Sequence, residues 1–235
     1  MTYLGSKLKH AKYIIPIILA NRKENQVFCN VFTGGANIVD KVGGVRIASD
    51  INPYLICLLQ SLQDGWIPPD SLSQQEYNSL KDHQDLNPLV AFAGFGCSFG
   101  AKWFGGYARG LNSKNEPRNY ALETKNNLLK QSPNLAGITF TCSSYEDLIV
   151  PAKSLLYCDP PYFQTTKYRD KFDHEKFWQW TDYMINAGHS VFVSEYIAPK
   201  SWQCVWEKEV VASFDHNRGE NPKKSIERLF TKELR

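Results

Sequence analysis

The sequence has no apolar run long enough to cross a bilayer. Its best candidate, residues 13–19, is interrupted by Pro16 and falls well short of the roughly 20 residues a spanning helix needs. No small-residue cleavage site follows, so the expected product is neither secreted nor anchored, but cytoplasmic. Cys-x-x-C pairs are missing too. The six cysteines stand far apart at positions 29, 57, 97, 142, 158 and 204, which argues against both a zinc site and a disulfide framework and fits a reducing compartment. No metal is therefore expected. Internal repeats and low-complexity tracts are absent on inspection, and nothing marks an obligate protein partner. Neither sign of charge dominates: 27 Lys and Arg against 24 Asp and Glu leave +3, which permits a nucleic-acid partner without requiring one. Finally, there is no P-loop lysine and no complete G-x-G-x-x-G, so a phosphate cradle for ATP or a dinucleotide is poorly supported.

What is present is enough for an α/β core. The chain has 235 residues, 43% of them hydrophobic. A helix is expected from residue 7 to about 20, with Ser6 as its N-cap and a kink at Pro16. Lysines at 7 and 9 oppose the helix dipole there, so Lys7 reads as a residue kept for a contact and not for helix stability. Residues 27–32 form a buried strand, followed by the loop Thr33-Gly34-Gly35-Ala36-Asn37 and an apolar segment through Val42 that opens a second helix. Ile47 and Ala48 start a strand ending at Asp50. Asn52-Pro53 then begins a helix carrying Leu55, Leu58, Leu59 and Leu62, and Gly65 stops it. This β-α-β-α order implies a parallel sheet. From residue 66 to 133 the pattern becomes polar, Gly-rich and aromatic, with a capping box at residues 73–76. Strands resume at 138–142, 154–158 and 191–195, with a helix capped by Asp173 and closed by Gly188. The tail alternates at 205–211 and 226–231 like a terminal antiparallel pair.

The most informative residues are Asp159-Pro160-Pro161-Tyr162, directly after the apolar run of 154–158. Each proline fixes its own φ and keeps the preceding residue extended, so the carbonyls of Asp159 and Pro160 are held in direction beside a carboxylate. Such acceptors can grip an exocyclic amine, and the ring beyond can stack on a base extruded from a duplex. Taken alone, the segment reads equally as a Pro-rich turn ending a strand. Ligands of open α/β sheets bind outside the carboxyl ends of strands, which puts the Gly34-Gly35 loop, Asp50 and Asp159 on one edge. Glycines allow close backbone approach, and an acid at the second strand's end can take both ribose hydroxyls. The ligand expected is nucleoside-like.

Residues 3–7 (Tyr-Leu-Gly-Ser-Lys), 32–36 (Phe-Thr-Gly-Gly-Ala), 50–53 (Asp-Ile-Asn-Pro), 159–162 (Asp-Pro-Pro-Tyr) and 193–199 together resemble the Dam-like N6-adenine DNA methyltransferases of the D12 class, particularly small bacteriophage-type members. The motif order matches that family's alpha arrangement. The resemblance implies a Rossmann-like methyltransferase fold, mostly parallel with a terminal antiparallel hairpin. Residues 1–65 and 134–235 would be the S-adenosylmethionine-dependent catalytic domain, and 66–133 an inserted target-recognition domain. It further implies methyl transfer from S-adenosylmethionine to a flipped adenine in double-stranded DNA, by an orphan enzyme or one beside a restriction system, in a bacterial or phage-infected cell. Tyr3, Lys7, Phe32, Gly34, Gly35, Asp50 and Asp159 would bind the cofactor. Asp159, Pro160 and Tyr162 would be catalytic. The chain departs from the family at Asn30 and Val31, which replace a frequent acid and proline, and at Ala36, which replaces a frequent glycine.

In the insertion, Lys102, Arg109, Lys114 and Arg118 supply positive charge for phosphates, and Asn112, Asn119 or Arg118 can read base edges. Trp103, Phe104 and Tyr107 read equally as a wedge into the base stack or as core of a small lobe. Two other functional readings share these motifs. One is a catalytically weak nucleic-acid-binding protein on a methyltransferase scaffold, favoured by the changes at 30, 31 and 36. The other is an RNA adenine methyltransferase.

Overall fold

A computed structural model describes residues 5–162, 172–211 and 224–232. Its framework is a seven-stranded sheet in the order β3-β2-β1-β4-β5-β7-β6. The strands are β1 (Phe28–Asn30), β2 (Arg46–Asp50), β3 (Ile138–Cys142), β4 (Leu155–Cys158), β5 (Ser190–Glu195), β6 (Gln203–Val211) and β7 (Lys224–Thr231). β1 to β5 pair in parallel, while β7 runs antiparallel between β5 and β6. This is the expected α/β architecture, a mostly parallel sheet closed by an antiparallel pair. At the centre of the sheet both faces are covered: every residue of β1 and β4 is buried, and β4 is a continuous apolar run.

Helices start where side chains take up the orphan N–H groups. In α2 (Pro53–Gln63), Asn52 accepts from Tyr54 and Leu55 N–H, and Pro53 sits in the first turn, where a missing N–H costs nothing. In α3 (Gln74–Asp82), Ser73 and Glu76 form the reciprocal box that the sequence spells. Asp173 caps α6 (His174–Asn186) through Lys176 N–H. In α1 (Leu8–Leu19) the cap position belongs to Lys7, one residue later than expected, and the helix continues through Pro16. Ser6 still serves it, accepting from Leu8 N–H at 3.3 Å.

The helix expected after the glycine loop is not there. Only a 3-10 turn at Val39–Lys41 forms, because Ala36 enters the left-handed region with φ 57°, the β-branched Ile38, Val39 and Val42 favour other states, and Gly43-Gly44 follows. The three apolar side chains are nonetheless buried, so the segment is core without being helix.

Residues 66–133 hold α3, α4 (Pro88–Ala91), a π turn at Phe92–Gly96 and α5 (Tyr120–Gln131). Their apolar side chains join those of α2 and α1 in one cluster, in which Leu55, Leu58 and Leu59 meet Val90, Phe92 and Leu128. A second cluster on the other sheet face packs β1, β4 and β5 against Phe177, Met184 and Ile185 of α6. Among the described residues, no helix is long and apolar enough to cross a membrane.

Candidate active site

Register alone brings the candidate residues to one edge. Asn30 pairs with Ala48 on one side and with Tyr157 on the other. Phe32, Asp50 and Asp159 therefore each lie two residues beyond the same row, at the carboxyl ends of three adjacent strands. Strands about 4.8 Å apart put Asp50 and Asp159 roughly 10 Å from each other, with the glycine loop between them.

On the β2 side, Asp50 accepts from Gly34 N–H at 2.9 Å and from Asn52 N–H at 3.0 Å. Burial raises its pKa, and the N–H groups of Asn52, Gly34 and Ile51 only partly counter that. The loop is held from two sides. Asn37 donates to Ser6 Oγ at 2.8 Å, tying the segment before α1 to it. Gln131, at the last position of α5, donates to Gly35 carbonyl and to Asp40, both at 3.0 Å. Phe32 packs among Tyr145, Phe172 and Phe177. Asn30, at the base of the loop, is 1% exposed, and its side-chain oxygen has no hydrogen-bond partner. An orphaned buried acceptor beside a glycine loop is suited to a donor brought by a ligand. Tyr3 lies outside the described residues.

On the β4 side the site is more charged. The Lys7 ammonium lies 3.4 Å from Asp159 Oδ1 and 3.1 Å from Glu227 Oε2, and 4.2 Å from the centre of the Tyr162 ring. Tyr162 hydroxyl donates to the same Glu227 oxygen at 2.8 Å, and Tyr196 meets the ring edge-on at 4.6 Å. Burial pushes Asp159 up to about 6; Lys7 pulls it down and the negative Glu227 pushes it up again. Burial by itself would depress Lys7, but Asp159 and Glu227 outweigh it, so its pKa is raised and the ammonium stays charged. Burial, then Asp159 and Glu227, hold the Tyr162 hydroxyl in its protonated, donating form. Pro160 is buried beside them. Cys158 is fully buried with its thiol pKa far above the usual range, so it is packing and not a nucleophile. Lys7, expected beside the cofactor, thus lies against Asp159, Glu227 and Tyr162.

Two residues of this edge went unread in the sequence. Glu227 had a signal: in the alternating tail it is two positions before Leu229, which is 0% exposed, so an acid sits on the inward face. Gln131 follows Leu128 by one helical turn on the buried side of α5. Tyr196 follows β5 within residues 193–199, which the resemblance includes without giving it a role.

Residues 66–133 do not bring their candidates together. Lys102, Arg109, Asn112, Lys114, Arg118 and Asn119 are all exposed. Arg118 is paired with Glu123 at 2.9 Å and lies over Tyr120, and Arg109 donates to Gln74. Asn112 closes its own turn through Lys114 and Glu116 N–H. Asn119 caps α5 through Leu122 N–H while its amide donates to Asp70 carbonyl. Lys102 and Lys114 have no ion-pair partner among the described residues. The aromatic wedge is not seen. Trp103 packs on Tyr54, Phe95 and Phe104, Phe104 is buried against Tyr77, and Tyr107 hydroxyl donates to Leu72 carbonyl at 2.6 Å.

Comparison with known proteins adds the family. Type II methyltransferase M.FokI of Planomicrobium okeanokoites is 26% identical over a 191-residue alignment that covers 71% of this chain and 29% of that protein's length. A solved Escherichia coli structure described as "Putative methyltransferase yhhF" aligns over 97% of this chain and 86% of its own, at 9% identity and a TM-score of 0.37, and adds nothing to the assignment. The family described as D12 class N6 adenine-specific DNA methyltransferase matches residues 3–92 and 105–199, which include the glycine loop, Asp50 and residues 159–162. With most of its length matched, this chain belongs to the D12 class N6 adenine-specific DNA methyltransferase family.

Proposed function

We propose that this protein transfers the methyl group of S-adenosylmethionine to N6 of an adenine turned out of double-stranded DNA. The observation that carries the reading is the partly buried Asp159 carboxylate, fixed at the end of β4 beside Lys7 and Tyr162 and across the glycine loop from Asp50. The residues fit a nucleoside cofactor. Asp50 has acceptor capacity for ribose hydroxyls, Gly34 and Gly35 give close backbone approach, and the orphaned Asn30 oxygen offers an acceptor to an ammonium. Phe32, Lys7 and Tyr3 complete the proposed binding set. When bound, the sulfonium supplies an electrophilic methyl group.

Adenine N6 is a weak nucleophile because its lone pair is delocalised into the ring. Asp159 and the Pro160 carbonyl accept its two hydrogens, which localises the lone pair, and Tyr162 stacks on the base. The N6–carbon bond forms as the carbon–sulfur bond breaks, and N6 sheds one proton. A carboxylate with a pKa of about 6 is ionised enough to accept before transfer and basic enough to take that proton towards water. No covalent enzyme intermediate is required.

Residues 66–133 are proposed as the target-recognition region, with Lys102, Arg109, Lys114 and Arg118 on phosphates and Asn112 and Asn119 towards bases. The reading includes a cytoplasmic setting, a bacteriophage-type lineage and action alone or beside a restriction enzyme. The deciding experiment incubates the protein with methyl-labelled cofactor and either unmethylated duplex DNA or RNA, then identifies the modified nucleoside. N6-methyladenine at a short recurring DNA motif supports it. Label in cytosine, in RNA only, or in neither substrate while DNA still binds, overturns it.

A further inference from the structure

Glu227 comes from the antiparallel strand β7, the part of the sheet furthest in sequence from the segment before α1, yet one of its oxygens serves two groups of the transfer site. It accepts the Tyr162 hydroxyl at 2.8 Å and pairs with the Lys7 ammonium at 3.1 Å, 220 positions away in the chain. A partly buried carboxylate with these two partners is not a surface charge turned inward by chance: unpaired, it would bear a desolvation cost that both contacts offset. The consequences run through each partner. A tyrosine ring has two side-chain torsions, and tethering its hydroxyl fixes the ring plane against which a base must lie. A lysine shared between two carboxylates is withheld from closing fully on either one. Its distance to Asp159, 3.4 Å, is the longer of the pair, which leaves Asp159 with acceptor capacity for a substrate amine.

We propose that Glu227 is a positioning residue of methyl transfer, setting the Tyr162 ring by its hydroxyl and holding Lys7 partly off Asp159. This rests on the transfer reading given above. The groups facing Asp159 are Lys7 from the segment leading into α1, Glu227 from β7, Tyr162 of its own loop and Tyr157 of β4; His10 of α1 senses both Lys7 and Glu227. Removing the negative charge of Glu227 takes away one influence that raises Asp159 and leaves Lys7 to act on Asp159 alone. Both effects lower the Asp159 pKa. Removing the Tyr162 hydroxyl frees the ring and leaves Glu227 to Lys7.

The test compares wild type, Glu227→Gln and Tyr162→Phe. Glu227→Gln is isosteric and keeps an acceptor for the Tyr162 hydroxyl, so it is the variant most apt to fold; Tyr162→Phe removes a single oxygen and keeps the stacking ring. In steady-state methylation of duplex DNA, Glu227→Gln is expected to lower kcat roughly ten- to a hundredfold with KM for DNA and cofactor nearly unchanged. The acid limb of its pH–rate profile moves to lower pH, and Tyr162→Phe, which releases the ring from Glu227, also lowers kcat. A merely structural role would lower activity without moving that limb. A second arm needs no turnover: acetic anhydride is applied in trace amounts and acetylation of Lys7 is read by mass spectrometry. Losing one of its two carboxylates makes Lys7 more reactive in Glu227→Gln. Wild-type kcat and acid limb in Glu227→Gln, or unchanged Lys7 acetylation, overturn the proposal. If wild type methylates nothing, the transfer reading falls by itself, and the acetylation arm still decides whether Glu227 holds Lys7.

Discussion

The sheet edge at Asp159 and residues 66–133 solve opposite packing problems. At the edge, Lys7, Asp159, Tyr162 and Glu227 bring polar and charged groups from distant stretches of chain into one largely buried cluster. In residues 66–133 the interior is aromatic: Trp103, Phe104, Phe95 and Tyr77 fill it, and the charged side chains are outside, paired with one another or with solvent. A buried charge cluster costs stability unless every member is partnered, whereas an aromatic core costs stability only when its shape is disturbed. Edge substitutions should therefore damage function more than folding, and insertion substitutions the reverse.

The largest effect expected is at Asp159. Asp159→Asn keeps the shape but loses the anion, and transfer should fall about a thousandfold or more while the protein still folds. Its stability should change in the favourable direction near neutral pH. The wild-type carboxyl has a pKa raised from 3.8 to about 6, so the folded state binds more protons than the unfolded one between those values. Wild-type stability is then fullest below about pH 4 and declines as pH rises through 6, a decline the Asn variant lacks. The shift bounds the gain at about 3 kcal/mol, and 17% exposure of the side chain and the loss of one Lys7 partner reduce it. Urea unfolding of both proteins at pH 4 and pH 7, beside a methylation assay, measures both halves. A variant that keeps its turnover, or unfolds more easily at pH 7 than at pH 4 relative to wild type, breaks the comparison at its strongest point.

Next is Gly94 in the π turn of the insertion. A Cβ there would lie 2.4 Å from Cζ3 of Trp103 and 3.0 Å from Phe104, while the Gly94 carbonyl accepts from Phe104 N–H at 3.0 Å. The rings cannot move aside without breaking the packing around Tyr54 and Phe95. Gly94→Ala should cost about 1–3 kcal/mol, seen as a lower unfolding midpoint, with the kcat of the remaining folded fraction unchanged. An equally stable variant would mean that the aromatic lobe is looser than its contacts.

How much of this was legible follows the same division. Local signals were read directly: the cap at Asn52, the box at residues 73–76, the cap at Asp173 and the alternating tail all depend on neighbours within four residues. Asp50 and Asp159 were legible because a parallel sheet collects its strand ends on one edge. Glu227 was not, since its partners are set by which strand is inserted between which, and no local pattern encodes that. The segment after the glycine loop misled for another reason. Ile38, Val39 and Val42 carry an apolar pattern that burial demands, and burial does not require a helix. For the insertion, composition signalled aromatics and charge, but only the fold reveals that Asn119 and Arg118 already have intramolecular partners.

That engagement makes a smaller prediction. Lys102→Ala should lower the slope of log affinity for duplex DNA against log salt by about one, because a free ammonium releases a counterion when it meets a phosphate. Arg118→Ala should change it less, since Glu123 already neutralises the guanidinium. Equal slopes for the two variants would show that the Arg118–Glu123 pair opens on DNA, and a slope unchanged in Lys102→Ala would remove Lys102 from the phosphate set.

The smallest effect concerns Ala36, where the two regions can be compared by a reversed swap. Ala36 is 0% exposed and has φ 57°, its N–H bonded to Thr33 carbonyl and its carbonyl to Asp40 N–H. A left-handed conformation costs an alanine about 1–2 kcal/mol, which glycine avoids. Against that, glycine forfeits roughly 0.8 kcal/mol of methyl burial and adds about 0.4–1 kcal/mol of chain entropy to the unfolded state. These contributions nearly cancel, so Ala36→Gly should leave the urea midpoint within about 1 kcal/mol of wild type. Gly94→Ala has no such compensation, because the added methyl meets a ring in a conformation that alanine otherwise tolerates. Stabilisation of Ala36→Gly by more than about 2 kcal/mol would mean that backbone strain governs the glycine loop; an equal loss would mean that the methyl is packed there as tightly as Trp103 is in the insertion.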